Sequence, residues 1–170
     1  MCRYTIKGKG AEFMAEIETG IVPRKVMATM SGLEFLAAIA AGRLPQPPIA
    51  VTLGFRLVEV AAGLVVFEGL PAACHYNPIG SVHGGFAATL LDSCMACAVH
   101  TTVPVGQVYT SLEIKVNFVR PITETTGRVR AEGRVIHAGR TTGTAEGRIT
   151  DAAGKLLAHG TTTCLIFAAD

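Results

Sequence analysis

The residues with the clearest chemical potential lie in one stretch of the chain, from Asn77 to Asp92. Residues 86–99 have helical length and good helix formers. A helix that begins near Gly84 leaves its first N–H groups unpaired at the positive end of its dipole, where they can hold an oxyanion. Asp92 lies in apolar surroundings, and a carboxylate there needs partners or a shifted pKa. With His83 and Asn77 nearby, these groups predict a reaction centre for attack on a carbonyl.

The helix that carries Asp92 must be held by the rest of the chain. Its sequence is apolar nearly all the way round, which is typical of a helix buried on all sides. The inward positions of the later predicted strands are unusually small, and glycine weakens a strand unless something must approach closely. These small positions are Ala131, Gly133, Gly143, Ala145, Gly147, Ala158 and Gly160. They predict an α+β fold in which a six-stranded antiparallel sheet curls around the helix.

The predicted strands follow from alternating apolar and polar residues and from turn signals. In the segment 111–118, Leu112, Ile114, Val116 and Phe118 are expected to form the buried face of a half-buried strand. The strands are predicted at 49–60, 64–70, 111–118, 128–137, 142–150 and 156–167.

The N-terminal part of the chain divides at residue 30. Residues 1–30 show no period and are interpreted as a tail, either disordered or packed as an extension, whereas residues 31–170 form the main domain. A capping box at Ser31 and Glu34 predicts an extra N-terminal helix, which Gly42 ends.

Composition limits the classes of function. The net charge of +2 is too small to indicate nucleic-acid binding, and no apolar run is long enough to span a membrane, so a cytoplasmic protein is expected. Charged residues make up only 16%, which favours an oligomer that buries part of its surface. Cys94 and Cys97 form a C-x-x-C in mid-helix, which we interpret as buried packing, and no metal site is predicted.

Taken in order, several motifs between about residue 45 and residue 167 resemble the hotdog-fold acyl-CoA thioesterases, and within them the phenylacetyl-CoA thioesterase subfamily. The motifs are Asn77-Pro-Ile-Gly80, Val82-His-Gly-Gly85, Leu91-Asp92, Thr110-Ser-Leu-Glu-Ile-Lys-Val-Asn-Phe-Val-Arg-Pro121, Gly139-Arg140 and Asp151-Ala-Ala-Gly154. The resemblance implies a sheet wrapped around a central helix. It also implies a homodimer with its active sites between the two chains, often doubled to a homotetramer.

The resemblance also implies roles for individual residues. Asp92 would be the catalytic carboxylate, acting as general base on water or as nucleophile. Gly84 would donate its N–H to the thioester carbonyl, and His83 would help to polarise that carbonyl. Asn77 would come from the partner chain and hold the water or the carboxylate. Ser111 falls where related enzymes carry a hydroxyl that assists the water, although Thr110 is adjacent.

The further residues predicted to bind substrate or its coenzyme A phosphates are Gly85, Thr110, Arg120, Gly139 and Arg140, with Arg140 as the first choice. The predicted activity is hydrolysis of a small or medium, aliphatic or aryl, acyl-CoA to the free acid and CoA. No cofactor is expected, since coenzyme A is part of the substrate. The alternatives are a hotdog hydratase or dehydratase acting on acyl thioesters, and a non-catalytic acyl-CoA binding module.

Overall fold

In the computed structural model, which describes residues 18–169, a long helix lies across one face of a six-stranded antiparallel sheet. The helices are α1 (Arg24–Met27), α2 (Gly32–Ala40), α3 (Pro48–Thr52) and α4 (Gly84–His100). The strands are β1 (Phe55–Ala61), β2 (Leu64–Gly69), β3 (Gln107–Phe118), β4 (Val129–Ala138), β5 (Thr142–Thr150) and β6 (Leu156–Ala168). The sheet order is β1-β2-β4-β5-β6-β3, so β1 and β3 are its edges. The predicted α+β layout with an extra N-terminal helix is confirmed.

The backbone of α4 packs directly on the sheet because the inward residues of the sheet are small. A Cβ atom at Gly133 would overlap the backbone of Cys94 and Met95. At Gly143, a Cβ atom would lie 2.5 Å from a methyl group of Val99. Ala131, Ala145 and Ala158 are buried beside these glycines. The prediction drawn from the small inward positions is therefore confirmed.

One stripe of α4 is not fully covered by its own chain. The helix was expected to be buried on all sides, but residues along one side are only half-buried. They recur every three or four positions, as one face of a helix requires. They are Gly85, Ala88, Thr89, Asp92 and Ser93. The Asp92 carboxylate therefore lies at an open face of the helix.

Strand β3 carries a bulge that shifts its alternation. The pairing with β6 skips Leu112, between Ser111 and Glu113. Before the bulge, Tyr109 packs on the last residue of α4, and beyond it Phe118 packs on the first. The inward face thus changes from odd to even positions, as an extra residue in a strand dictates. The predicted buried face was wrong at Leu112, which is 60% exposed, whereas Val116 packs against the core and Phe118 packs on Gly84.

The predicted strand 49–60 was also wrong in its first half. Residues 48–52 form the short helix α3, and the strand begins only at Phe55. Pro48 occupies the first turn of α3, where its fixed φ is already helical and its missing N–H costs nothing. Gly54, with a φ of +61°, then turns the chain into β1. The hairpin with β2 follows as predicted.

The N-terminal segment reaches the main domain through Gln46. The backbone N–H of Gly20 donates to the carbonyl of Gln46 at 3.0 Å, and the N–H of Gln46 donates to the carbonyl of Glu18 at 2.8 Å. Residues 1–17 of the predicted tail lie outside the described residues, and the division at residue 30 stays a prediction. The capping box is confirmed by reciprocal bonds between Ser31 and Glu34. Within the described range, no helix has the length and apolarity needed to cross a membrane.

We expect Gly133→Ala to lower the free energy of unfolding by about 3 kcal/mol or more, because the added methyl would meet helix backbone, which no rotamer change can move. Arg148→Ala is the matched control, since Arg148 lies exposed on the sheet and its truncation should cost little. Denaturant unfolding of both variants checks this. Equal stability of the two would contradict the packing described for α4.

Candidate active site

Asp92 and Ser111 form a hydrogen-bonded pair at the open face of α4. The Ser111 hydroxyl donates to Oδ1 of Asp92 at 2.9 Å. Asp92 is held on the third turn of α4, and Ser111 is turned toward it just before the bulge in β3. The second carboxylate oxygen, Oδ2, has no hydrogen-bond partner within residues 18–169. The pair therefore presents one fixed and one free carboxylate oxygen.

The neighbouring hydroxyl of Thr110 lies on the other side of the strand. Successive side chains of a strand point to opposite faces, so Ser111 and Thr110 cannot both face α4. Thr110 is exposed and pairs in the sheet with Leu165. Of the two hydroxyls, only Ser111 meets the carboxylate.

The start of α4 is capped by a histidine side chain. His83 is the N-cap, and its Nδ1 accepts the N–H of Gly85 at 2.8 Å. A neutral imidazole that accepts at Nδ1 carries its proton at Nε2, which leaves a donor on the exposed side of the ring. The N–H of Gly84 meets no acceptor in the described part of the chain, as expected for the first residue of a helix. Gly84 and His83 thus offer two donors, while the N–H of Gly85 is already engaged.

His75 fixes the loop that leads into α4. Its carbonyl accepts the N–H of His83 at 2.7 Å, and its ring stacks on Phe86 with centroids 4.8 Å apart. Burial lowers the pKa of His75 because the charged form would lose its hydration. This histidine is therefore part of the support for the helix start.

Asn77 shapes the loop before the helix. Its Oδ1 accepts the N–H groups of Ile79 and Ser81 at 3.1 and 3.3 Å. Its Nδ2 donates to the Ser81 hydroxyl at 3.1 Å, which uses one of its two protons. The other amide proton remains available to a group outside the loop.

A cavity of about 410 Å³ joins several of the predicted site residues. We call it the helix-start cavity, and it is lined by Asn77, His83, Gly84, Phe118 and Arg120 among others. The Phe118 ring would lie 3.0 Å from a Cβ at position 84, so glycine is the residue that fits at this position without a shift of the ring. The exposed Arg120 donates to the carbonyl of Leu156 at 2.6 Å.

The structure therefore separates the predicted catalytic residues into two groups within one chain. Asp92 lies eight residues beyond Gly84 on the same helix. At 1.5 Å per residue this separates their backbones by about 12 Å along the axis. Such a span is too long for one chain to place both groups on a single thioester carbonyl.

Gly139 and Arg140 lie at the end of the sheet that holds Ser111. They form the turn between β4 and β5, and Arg140 is exposed. The strand pairing runs from Ser111 through Cys164 and Gly143 to the end of β4. Three strand spacings place this turn about 14 Å from Ser111 across the sheet. Arg120 follows the opposite end of β3, so the turn does not meet it in the same chain.

A second, mainly apolar cavity of about 310 Å³ is lined in part by residues of α4 and β3, but not by Asp92 or Ser111. We call it the Tyr109 cavity, and its lining includes Phe35, Cys97, His100 and Tyr109 as well as residues of the N-terminal segment. His100 and Tyr109 stack with ring centroids 4.6 Å apart. Sequence reasoning did not assign this cavity. The sequence feature that could have indicated it is Tyr109, which lies two positions from Ser111 and therefore on the same side of the strand.

The titratable groups of the Tyr109 cavity are neutral at ordinary pH. Burial lowers the pKa of His100 to about 4, because the imidazolium would lose its hydration. Burial likewise raises the pKa of Cys97 to about 12 and the pKa of Tyr109 well above its usual value. The Cys94 thiol is buried and its pKa is also raised, so this C-x-x-C has none of the activation that redox cysteines need.

The helix wrapped by a curled antiparallel sheet defines the class of protein, and a family model described as "Thioesterase superfamily" matches residues 79–158. The chain belongs to the thioesterase superfamily, and the prediction of a hotdog thioester hydrolase is confirmed at that level. The fold is similar to that of a phenylacetic acid degradation-related protein from Ralstonia eutropha JMP134, with a TM-score of 0.70 and 29% identity over 77% of this chain and 98% of that one.

Two further relatives support the assignment. A mutant of phenylacetic acid degradation protein PaaI from Thermus thermophilus has a TM-score of 0.63 and 31% identity, covering 69% of this chain and 97% of that one. A 1,4-dihydroxy-2-naphthoyl-CoA hydrolase from Listeria monocytogenes is 28% identical over 62% of this chain and 85% of its own length. Three other named relatives are matched over only 44% to 63% of their own length.

The burial of His100 predicts a pH dependence of stability. Its pKa is about 4 in the folded protein and about 6.5 in an unfolded chain, so protonation favours unfolding. The stability that depends on neutral His100 is fully present above pH 6.5 and is lost as the pH falls toward 4. The resulting decrease in the free energy of unfolding is about 3 kcal/mol. Denaturant unfolding across this range should show a shallower slope for His100→Phe than for wild type.

His75 will retain part of the slope in that variant, because burial lowers its pKa as well. His137→Gln, which removes an exposed histidine, is the matched control and should keep the wild-type slope. An identical slope for His100→Phe and wild type would show that His100 is not the titrating group.

Proposed function

We propose that the protein is an acyl-CoA thioesterase that hydrolyses small or medium acyl-CoA thioesters at active sites built from two copies of the chain. The observation that carries the proposal is the division of one carbonyl-attacking apparatus between two groups. The Asp92–Ser111 pair can supply the attack, and the helix start can supply the oxyanion donors. Among the described residues of one chain, neither group has its complement nearby.

The attacking side of the proposed site is the free carboxylate oxygen of Asp92. Ser111 occupies Oδ1, so Oδ2 is the atom that either takes a proton from water or attacks the carbonyl carbon directly. In the first route, the water oxygen bonds to the carbonyl carbon and its proton passes to Oδ2. In both routes the thioester C–S bond breaks and the CoA thiolate leaves. Ser111 keeps the carboxylate in one orientation.

The receiving side of the proposed site is the start of α4 in the other chain. The unpaired N–H of Gly84 donates to the carbonyl oxygen as negative charge develops there. The Nε2–H of His83 adds a second donor, because Nδ1 is already fixed by the helix cap. A preorganised backbone donor of this type is worth about 2.7–4 kcal/mol in the transition state. The free amide proton of Asn77 is placed to hold the water or the carboxylate of Asp92.

The surface beside Asp92 supports pairing of two chains. Within residues 18–169, β3 is an edge strand whose outer backbone groups have no neighbouring strand. It exposes Leu112, Ile114 and Phe118, and the half-buried stripe of α4 lies beside it. A homodimer that covers this region brings the attacking pair of one copy toward the helix start of the other. A dimer of dimers is the larger assembly that we propose.

Exposed arginines around the site supply partners for the phosphates of coenzyme A. Arg120 borders the helix-start cavity, and Arg140 lies in the turn at the Ser111 end of the sheet. Gly139, next to Arg140 in the turn, and Thr110, next to Ser111 on β3, are further proposed contacts. No metal or cofactor enters the proposal. Cys74, Cys94, Cys97 and Cys164 are free thiols, which is in line with the proposed cytoplasmic location.

We expect Asp92→Asn to reduce kcat for acyl-CoA hydrolysis by about 10²–10⁴ or more, since an amide can neither accept the proton nor attack. The fold should persist, because Asn can still accept the bond from Ser111 and no charge is left unpaired. Release of free thiol from a panel of acyl-CoAs measures the loss, and a thermal melt measures the fold.

Glu146→Gln is the matched control for Asp92→Asn, because it removes an exposed carboxylate from the face of the sheet opposite α4. Turnover of Asp92→Asn within a few-fold of wild type would make Asp92 a structural residue. A non-catalytic acyl-CoA binding module would bind the same panel and release no thiol in the wild type.

Mixed oligomers test the two-chain site. Asp92→Asn and Gly84→Pro should each be inactive alone. Proline is chosen at position 84 because it removes the donor N–H and is tolerated at the first position of a helix. After the two variants are unfolded and refolded together, half of the dimers carry one intact site of two. The mixture should therefore recover about a quarter of wild-type activity.

A pairing of Asp92→Asn with Ser111→Ala is the control for the mixing experiment. Both substitutions lie in the same group, so their mixed dimers restore no intact site. Absence of recovery with Gly84→Pro, in particles that light scattering shows to be dimers or larger, would place both groups in one chain.

A further inference from the structure

The Tyr109 cavity lies near the proposed catalytic carboxylate, although neither Asp92 nor Ser111 lines it. Tyr109 lines the cavity and precedes Ser111 by two residues on the same side of β3, about 7 Å along the strand. Ser111 in turn is bonded to Asp92. A group attached to a carbonyl carbon beside Asp92 can therefore reach the cavity. The volume of about 310 Å³ is at the small end of the range for ligand pockets.

The outer wall of the Tyr109 cavity is made by the N-terminal segment of the chain. Gly20, Ile21, Val22 and Met27 line it, opposite Cys97 and the rings of α4 and β3. The segment is held in place by its backbone bonds to Gln46. These residues precede residue 79, where the family match begins.

The remaining lining gives the cavity a neutral character. No Asp, Glu, Lys or Arg is among the described residues that line it. Its polar groups are Gln46, His100, Tyr109 and the Cys97 thiol. The Tyr109 hydroxyl and the Cys97 sulfur are 3.9 Å apart, which is a weak contact. An occupant with a formal charge would lose its hydration there and gain no counter-ion from the described residues of the lining.

We propose that the Tyr109 cavity binds the acyl group of the thioester substrate, that this group is uncharged and mainly apolar, and that Val22 and its neighbours in the N-terminal segment limit its length. The inference rests on the proposed thioesterase function and goes beyond it in naming the class of acyl group. The acyl chain enters past Ser111 and extends toward the N-terminal wall, while the CoA portion stays outside. The low pKa of His100 keeps that ring neutral beside the chain.

The first test changes the size of the cavity from the N-terminal wall. Val22→Trp should fill it, and the ratio of kcat/KM for octanoyl-CoA to that for acetyl-CoA should fall at least about 10-fold relative to wild type. Val26→Trp is the matched control, because Val26 belongs to the same segment, is 40% exposed and does not line the cavity. Its ratio should equal that of wild type.

Val22→Ala is the second variant, in case the tryptophan prevents folding. It enlarges the cavity, so the preferred acyl length should shift upward in a series from acetyl-CoA to dodecanoyl-CoA. An octanoyl-to-acetyl ratio that is unchanged in folded Val22→Trp, or equally changed in Val26→Trp, would overturn the proposal.

The second test concerns charge. Butyryl-CoA and succinyl-CoA have acyl chains of the same length, but only the second carries a terminal carboxylate. Wild type should prefer butyryl-CoA by at least about 100-fold in kcat/KM, as expected when a carboxylate must be desolvated without a partner. Equal rates with the two substrates would overturn the assignment of an uncharged acyl group.

A binding measurement separates this inference from the proposed function. Calorimetric titration of Asp92→Asn with octanoyl-CoA and with CoA alone reports the acyl contribution without turnover. Adding Val22→Trp should remove most of the difference between the two affinities, and adding Val26→Trp should keep it. If wild type releases no thiol from any acyl-CoA, the hydrolase proposal fails, and this titration still decides whether the cavity holds the acyl group.

Discussion

Direct contact between the backbone of α4 and the glycines of the sheet is the constraint on which the rest of the structure depends. Gly133 lies against the carbonyl of Cys94, so the backbones of helix and sheet meet there with no side chain between them. Because proteins pack densely, a helix held so closely has no freedom to slide or roll. The position of α4 in the fold therefore depends on sheet residues that have no side chains of their own.

This constraint determines where both halves of the candidate site lie. Gly84 is at one end of α4 and Asp92 is two turns along, so their separation is a property of the helix itself. The Ser111 hydroxyl and the Phe118 ring approach the helix from β3 at these two places. A rigid helix beside an irregular edge strand thus presents an acid at one point and donors at another, each open to a neighbouring molecule.

The parts of the fold that could be predicted from the sequence are those with a local or periodic signal. The small residues of β4, β5 and β6 recur with period two and identified the face that receives the helix. The capping box that begins at Ser31 spans only four consecutive residues, so it is recognisable from local sequence alone. Asp92 and Gly84 were found because their types stand out from their surroundings, whereas Ser111 was identified by the family resemblance; the roles of all three stay predictions.

The parts that could not be predicted depend on contacts distant in sequence. The bulge at Leu112 leaves the residue pattern of β3 looking regular, because only the pairing with β6 reveals the extra residue. The helix at Pro48 occupies an apolar segment that reads equally well as a strand. The Tyr109 cavity combines residues from position 20 to position 109, and no local pattern connects them.

The bulge in β3 also has a consequence for assembly. A regular edge strand looks the same after every shift of two residues, so a second copy could pair with it in several registers. The bulge at Leu112 removes that equivalence. When two copies of β3 pair, only a register that accommodates the bulge of each copy leaves the two strands in contact. In the proposed dimer, the single unpaired residue of β3 would therefore select one register between the two edge strands, and that register would be the same for both protomers.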